Sequence, residues 1–178
     1  LSPAAGINII AASLDKWAAD PDRADHPALV LQQSGQTTVF TFKELRDISA
    51  RWAAFFTEHE LAAGDRLMIF LPPCREFFFA MAACARAGII FCPVFATSGY
   101  SELETRVADV GPAGILTDPD LLEMLPAESA AETKNIFLTR EGPGLPQNAI
   151  CLAGEPDQRP ADFPPRLLPP EVPLYIVY

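Results

Sequence analysis

The chain has 178 residues, is 49% hydrophobic and 20% charged, and carries 13 Lys+Arg against 23 Asp+Glu for a formal net charge of -10. At this size folding buries roughly two thirds of the unfolded surface, so a core forms without staples and the small disulfide or metal scaffolds are excluded. A chain this acidic repels a phosphate backbone, which excludes nucleic acid as a partner.

No apolar run approaches the roughly 20 residues that a bilayer requires, and the first residues show neither the basic start nor the cleavage site of a secretory signal. A cytoplasmic location is expected. Cys74, Cys84, Cys92 and Cys151 lack C-x-x-C spacing and sit among apolar neighbours, which predicts buried free thiols.

Ile7, Ile10, Leu14 and Trp17 recur at spacings of three and four, predicting an opening helix with Asp15 and Lys16 on its wet face. Two β-rich runs, Ala28 to Gln32 and Thr37 to Phe40, flank Ser34-Gly35 and predict a hairpin. Thr41 and Glu44 then form a T-x-x-E capping box that opens a helix. Leu45, Ile48, Trp52 and Phe55 mark its buried face, and Gly64 is its expected stop.

A strand, helix, strand unit follows. Leu67 to Leu71 and Ile89 to Val94 are apolar runs buried on both faces, and the helix between them, Glu76 to Cys84, is apolar around most of its circumference. A connection of this length predicts parallel pairing. Ser101 and Glu104 read as a second capping box, opening a helix with Leu103, Val107 and Val110 inward and Gly111-Pro112 as its end. Gly114 to Thr117 reads as a strand, Asp118-Pro119 as a cap, Leu121 to Leu125 as a short helix and Ile136 to Leu138 as a strand.

This alternation predicts an α/β fold, a mostly parallel sheet with helices on both faces plus an N-terminal β-hairpin. Nine of the 18 prolines fall in residues 141–178, so residues 1–140 form the α/β subdomain and 141–178 a proline-rich connection. That connection ends in Leu174 to Tyr178, an apparent buried strand.

Chemistry-bearing patterns are sparse. His26 and His59 are the only histidines, and there is no H-E-x-x-H, G-x-S-x-G, G-x-x-x-x-G-K-[ST] or G-x-G-x-x-G. His59 reads as a solvated or C-terminal capping side chain, and Gly142-Pro143-Gly144 as a linker. The stretch from Phe95 through Val110 is the long connection between buried strands that opens with an aromatic, hydroxyls and a glycine. Ligands in open α/β sheets bind beyond the carboxyl ends of strands, so Phe95, Thr97, Ser98 and Gly99 are candidate cleft residues. The alternative for Ser98 and its neighbours is an ordinary polar surface loop.

The order of segments carries a resemblance. Phe40-Thr41-Phe42-Lys43-Glu44-Leu45, then Gly64-Asp65-Arg66 running into Leu67 to Pro72, then Ala83 to Gly88 with Ile89 to Phe95, then Ser101 to Arg106, Asp109, Gly111 and Ile115 to Asp118 stand in one order over residues 40–118. Together they resemble the AMP-forming acyl-CoA synthetases and their adenylating relatives, the amino-acid adenylation domains and luciferases. The resemblance implies the N-terminal part of such an enzyme, which converts a carboxylic acid and ATP to acyl-AMP and passes the acyl group to CoA. It implies ATP, magnesium and CoA as cofactors of the parent protein.

In that family a strand like Leu174 to Tyr178 runs into a Thr-Ser-Gly-rich loop that holds the ATP phosphates, and the catalytic residues follow later. The resemblance therefore assigns no catalytic residue to this chain and implies that it is inactive alone. Pro93 is followed by Val94-Phe95-Ala96-Thr97-Ser98-Gly99 rather than the Asp and Tyr-Pro of amino-acid adenylating domains, which points to the CoA-synthetase branch. Acetyl-CoA synthetases place Phe-Gly-Gly here near CoA, and this chain matches only Phe95, so Phe95, Thr97, Ser98 and Gly99 are a possible CoA or substrate cleft. The alternative is a free-standing non-catalytic α/β binding module. Self-association through exposed apolar surface is expected of a partial domain.

Overall fold

A computed structural model describes residues 6–95 and 99–178. Asn8 caps a short helix, its Oδ1 accepting from the Ile10 and Ala11 amides. That helix passes through a π-helical turn, Ala11–Asp15, and closes as α1, Lys16–Ala18. The hairpin follows as β1, Pro27–Gln33, and β2, Gln36–Thr41, in antiparallel register. Ser34 and Gly35 both take positive φ, 50° and 78°, the backbone that a two-residue hairpin turn demands.

The Thr41 capping box forms in full. Thr41 Oγ1 accepts from the Glu44 amide and Glu44 Oε2 accepts from the Thr41 amide, opening α2, Phe42–Glu58. The remaining elements are β3 (Arg66–Phe70), α3 (Arg75–Ala87), β4 (Ile90–Val94), α4 (Tyr100–Val110), β5 (Gly114–Thr117), α5 (Ala127–Glu132), β6 (Asn135–Leu138) and β7 (Ala149–Cys151). A parallel sheet of five strands runs in the order β4-β3-β5-β6-β7.

Alternation along β3 builds the two halves of the core. Leu67, Ile69 and Leu71 face α2 and α3 together with Phe137 and Leu116. Met68 and Phe70 face α4 together with Leu103, Val107 and Val110. The period of two thus carries helices on both faces of the sheet. Edge-to-face rings tie the hairpin to this core, with Phe40 5.0 Å and Trp52 5.8 Å from Phe79.

Several expectations are corrected. Ile7 is not on the opening helix; it pairs with Leu168 ahead of the Asn8 cap and is exposed. Asp15 does not face water alone, because its carboxylate pairs with the buried Arg86. Gly64 does not end α2, which stops at Glu58 with Glu60 in positive φ, whereas Gly64 turns the chain into β3. The expected short helix Leu121 to Leu125 is a 3-10 helix, Pro119–Met124, capped by Asp118 as expected and ended by Leu125 in extended backbone. Ser101 does not cap α4: the helix starts at Tyr100 with Gly99 as its cap residue, which places Ser101 inside the first turn. Cys84 and Cys92 are buried, but Cys74 and Cys151 are only half-buried.

The connection of residues 141–178 returns to the sheet at β7, a strand too short and too mixed in composition to read from sequence. Leu174 to Tyr178 contributes a single bridge, between Phe91 and Tyr175, and Tyr175, Val177 and Tyr178 are exposed. The reason lies in β4. Phe91 bonds outward to Leu174 and Ile176, so Pro93, two residues on, presents its nitrogen to the same edge and has no N–H to extend the ladder.

Candidate functional site

β3 lies between β4 and β5: it leads into α3 on one face of the sheet, whereas its neighbour β5 leads into a 3-10 turn and α5 packed on the other. At such a switch point the loops beyond the strands separate and open a crevice at their carboxyl ends. The crevice here has a volume of about 590 Å³. Leu71 and Pro72 leave β3 to form one wall, and Cys74, Arg75 and Glu76 start α3 beside them. Asp118, Asp120 and Leu121 follow β5, and Thr139 and Arg140 follow β6, forming the opposite wall.

Asp118 organises that opposite wall. It caps its 3-10 helix through the Asp120 amide at 3.0 Å, accepts from Thr139 Oγ1 at 2.5 Å and pairs with Arg140 Nη2 at 3.0 Å. Burial pushes the Asp118 carboxyl up, but the bonds from Thr139 and the Asp120 amide and the charge of Arg140 outweigh it and hold the carboxyl below its ordinary value. Arg140 also reaches Asp120 at 2.7 Å, which gives the wall an alternating charge pattern on a fixed frame. Cys74 is the cap residue of α3, and desolvation pushes its thiol up to about 11, so the crevice holds a neutral thiol rather than a thiolate.

A second cavity, of about 670 Å³, lies on the α4 side and is lined by Gly99, Tyr100, Ser101, Glu102, Thr105, Arg106 and Tyr178. Arg106 pairs with Glu102 and lies 5.3 Å from the Tyr178 ring centroid. The Tyr178 hydroxyl donates to the Asp109 carboxylate, which pushes the phenol up to about 12.

The residues expected from sequence divide between places. Gly99 lines the second cavity, whereas Phe95 projects into solvent beyond β4 and is not among that cavity's described lining residues. Thr97 and Ser98 lie outside the described residues. His59 is the C-terminal cap residue of α2; its Nδ1 donates to the Phe55 carbonyl at 2.8 Å and its ring packs on Phe55. Sequence reasoning missed the switch-point crevice. Its signal was present in the residues just beyond each strand, Asp118 after β5 and Thr139-Arg140 after β6, but which strands adjoin is a property of the sheet order.

Among the described residues no three or more His, Cys, Asp or Glu side chains are placed to hold a metal ion. No helix of the described residues is long and apolar enough to cross a membrane.

Comparison with known proteins resolves the family. The model of the AMP-binding enzyme family matches residues 15–178. The acetyl-coenzyme A synthetase of Pasteurella multocida is 35% identical over 98 residues, 54% of this chain and 15% of that protein. That of Syntrophobacter fumaroxidans is 29% identical over 153 residues, 78% of this chain and 24% of that protein. Among solved structures, an acyl-CoA synthetase of Brucella canis superposes with a TM-score of 0.80 at 22% identity, covering 97% of this chain and 31% of that one. An acetoacetyl-CoA synthetase from Streptomyces lividans gives 0.83 at 20% identity, covering 97% and 28%. The chain thus spans a quarter or less of these two curated relatives and about 30% of the structural neighbours. With a family match over nearly its whole length and the same parallel architecture, the chain belongs to the AMP-binding enzyme family.

Proposed function

We propose that this chain is the N-terminal scaffold of an AMP-forming acyl-CoA synthetase. The match of residues 15–178 to the AMP-binding family, with acetyl-coenzyme A synthetases among its relatives, is the observation that carries the reading. In the parent reaction a carboxylate oxygen attacks the α-phosphorus of ATP and pyrophosphate leaves. The CoA thiol then attacks the acyl carbon and AMP leaves. The first step exists because hydroxide is a poor leaving group from a carboxylic acid, whereas AMP is a good one.

In this reading residues 1–140 are the α/β subdomain of the large domain, and 141–178 connect it to the segment leading into the phosphate loop. The chain supplies scaffold and cleft walls, with Phe95, Thr97, Ser98 and Gly99 as the CoA or substrate side and no catalytic residue. ATP, magnesium and CoA belong to the parent protein, which acts on a small-molecule carboxylate in the cytoplasm. The 178 residues alone are inactive and tend to associate through exposed apolar side chains such as Phe95, Tyr100, Tyr175 and Val177.

The test is carboxylate-dependent exchange between ATP and pyrophosphate, run with the product of the complete reading frame and with the 178-residue chain. Exchange by the complete product and none by the chain is expected. A stop codon directly after Tyr178, with tight binding of a carboxylate or of CoA by the chain itself, favours the free-standing binding module instead.

A further inference from the structure

Arg86, in the last turn of α3, is almost fully buried, with its side chain 3% exposed. A buried guanidinium demands that its donors be met. Here Nε donates to Ser49 Oγ at 2.9 Å, Nη1 and Nη2 donate to the two oxygens of Asp15, and Nη1 also donates to the Phe163 carbonyl at 3.1 Å. The main chain of the same residue completes the grip, because the Arg86 carbonyl accepts from the Arg166 amide at 2.8 Å. Asn8 adds a second tie: its Nδ2 donates to the carbonyls of Ala85, Arg86 and Arg166. Residues 163–166 are therefore held to the end of α3 at both of their ends.

The next residues carry that anchorage onward. Leu168 pairs with Ile7 through two backbone bonds of 2.8 and 3.0 Å. Its side chain packs so closely on Gly88 that a Cβ there would lie 2.8 Å from Leu168 Cδ1. Between Leu168 and the bridge at Tyr175 stand Pro169, Pro170 and Pro173, and a turn closed by the Val172 amide on the Pro169 carbonyl. Prolines fix φ, so this spacer acts as a short strut rather than a flexible linker. The bridge it delivers is itself weak, one contact long, because Pro93 ends the ladder.

We propose that Arg86 is a positioning residue: through residues 163–166 and the proline strut it sets the register of Leu174 to Tyr178 along β4. The ladder does not set that register. The consequence for catalysis rests on the function proposed above, in which this segment leads to the loop that holds the ATP phosphates.

Amide hydrogen exchange on the full chain tests the register claim, with Arg86→Lys, Arg86→Met and the surface variant Pro169→Gly/Pro170→Gly. Each variant is expected to speed exchange at the Ile176 amide about tenfold or more beyond whatever change a lower global stability brings to the amides of β3 and β5. Unchanged exchange at Ile176 in both the Arg86→Met and the proline variants overturns the proposal. So does an equal loss across β3 and β5, which marks a general stability effect. In the complete protein the proline variant is expected to raise KM for ATP while KM for the carboxylate stays constant. An unchanged KM for ATP, in a variant whose Ile176 exchanges fast, overturns the link to the phosphate loop. Absence of ATP and pyrophosphate exchange in the unsubstituted protein overturns the functional reading on which that link rests.

Discussion

Replacing Asp15 with alanine leaves a guanidinium buried without its counter-ion. The Arg86 side chain is 3% exposed and that of Asp15 is 24% exposed, so the pair is dry on one side and open to water on the other. Breaking a buried pair by removing one partner costs roughly 3–5 kcal/mol, and water entering where the carboxylate stood places Asp15→Ala near the low end, ~3 kcal/mol. Arg86→Met is expected to cost less, about 1–2 kcal/mol, because the carboxylate it leaves behind is hydrated and the methionine fills part of the space. The double variant removes both charges, so it is expected to be more stable than Asp15→Ala alone, with a coupling energy above about 1 kcal/mol. Urea unfolding with a constant m-value measures all three. A loss below about 1 kcal/mol for Asp15→Ala, or strict additivity in the double variant, refutes the reasoning.

Other expectations follow from single sites. Gly88 and Gly111 both hold positive φ, but a Cβ at Gly88 would also meet Leu168 and Ala63, whereas one at Gly111 meets only Arg66 Nη2 at 3.7 Å. Gly88→Ala should therefore cost about 2–3 kcal/mol in urea unfolding and Gly111→Ala about 1 kcal/mol; equal losses contradict the close approach of Leu168. Because the folded Asp118 carboxyl titrates below its ordinary value, its contribution to stability is present above that value and is lost as pH falls through the folded one. The urea midpoint should fall as pH drops below the ordinary carboxylate range, and Thr139→Val should flatten that fall. Burial pushes the thiols of Cys74 and Cys92 up to about 11, so alkylation near pH 8 should run about 100-fold slower in the folded chain than in urea, as counted by mass spectrometry.

Local signals in the chain announced most of the elements. The Thr41 and Glu44 pair opened α2 where the spacing required, because a capping box is satisfied by residues three apart and needs nothing distant. Leu103, Val107 and Val110 faced the core as their periodicity demanded. The Ser101 and Glu104 pair has the same spacing and formed no box, since the cap of α4 lies two residues earlier, where Gly99 carries the extended backbone of a cap residue. Identical local wording was thus decided by where the helix entered the fold. The candidate cleft residues were legible only in part. Gly99 reached a cavity, but the crevice between β3 and β5 depends on which strands are neighbours, and that is settled by pairings between segments far apart in the chain.

The sequence by itself determined the α/β class, the hairpin, the buried faces of α2 and α4 and the family, because these rest on periodicity, turn residues and motif order within short windows. Only the tertiary structure decided the role of Asp15 and Arg86, 71 positions apart, and the fate of Leu174 to Tyr178. An apolar run has the propensity to be a strand, but a ladder needs a partner edge with free donors, and Pro93 on β4 withholds one.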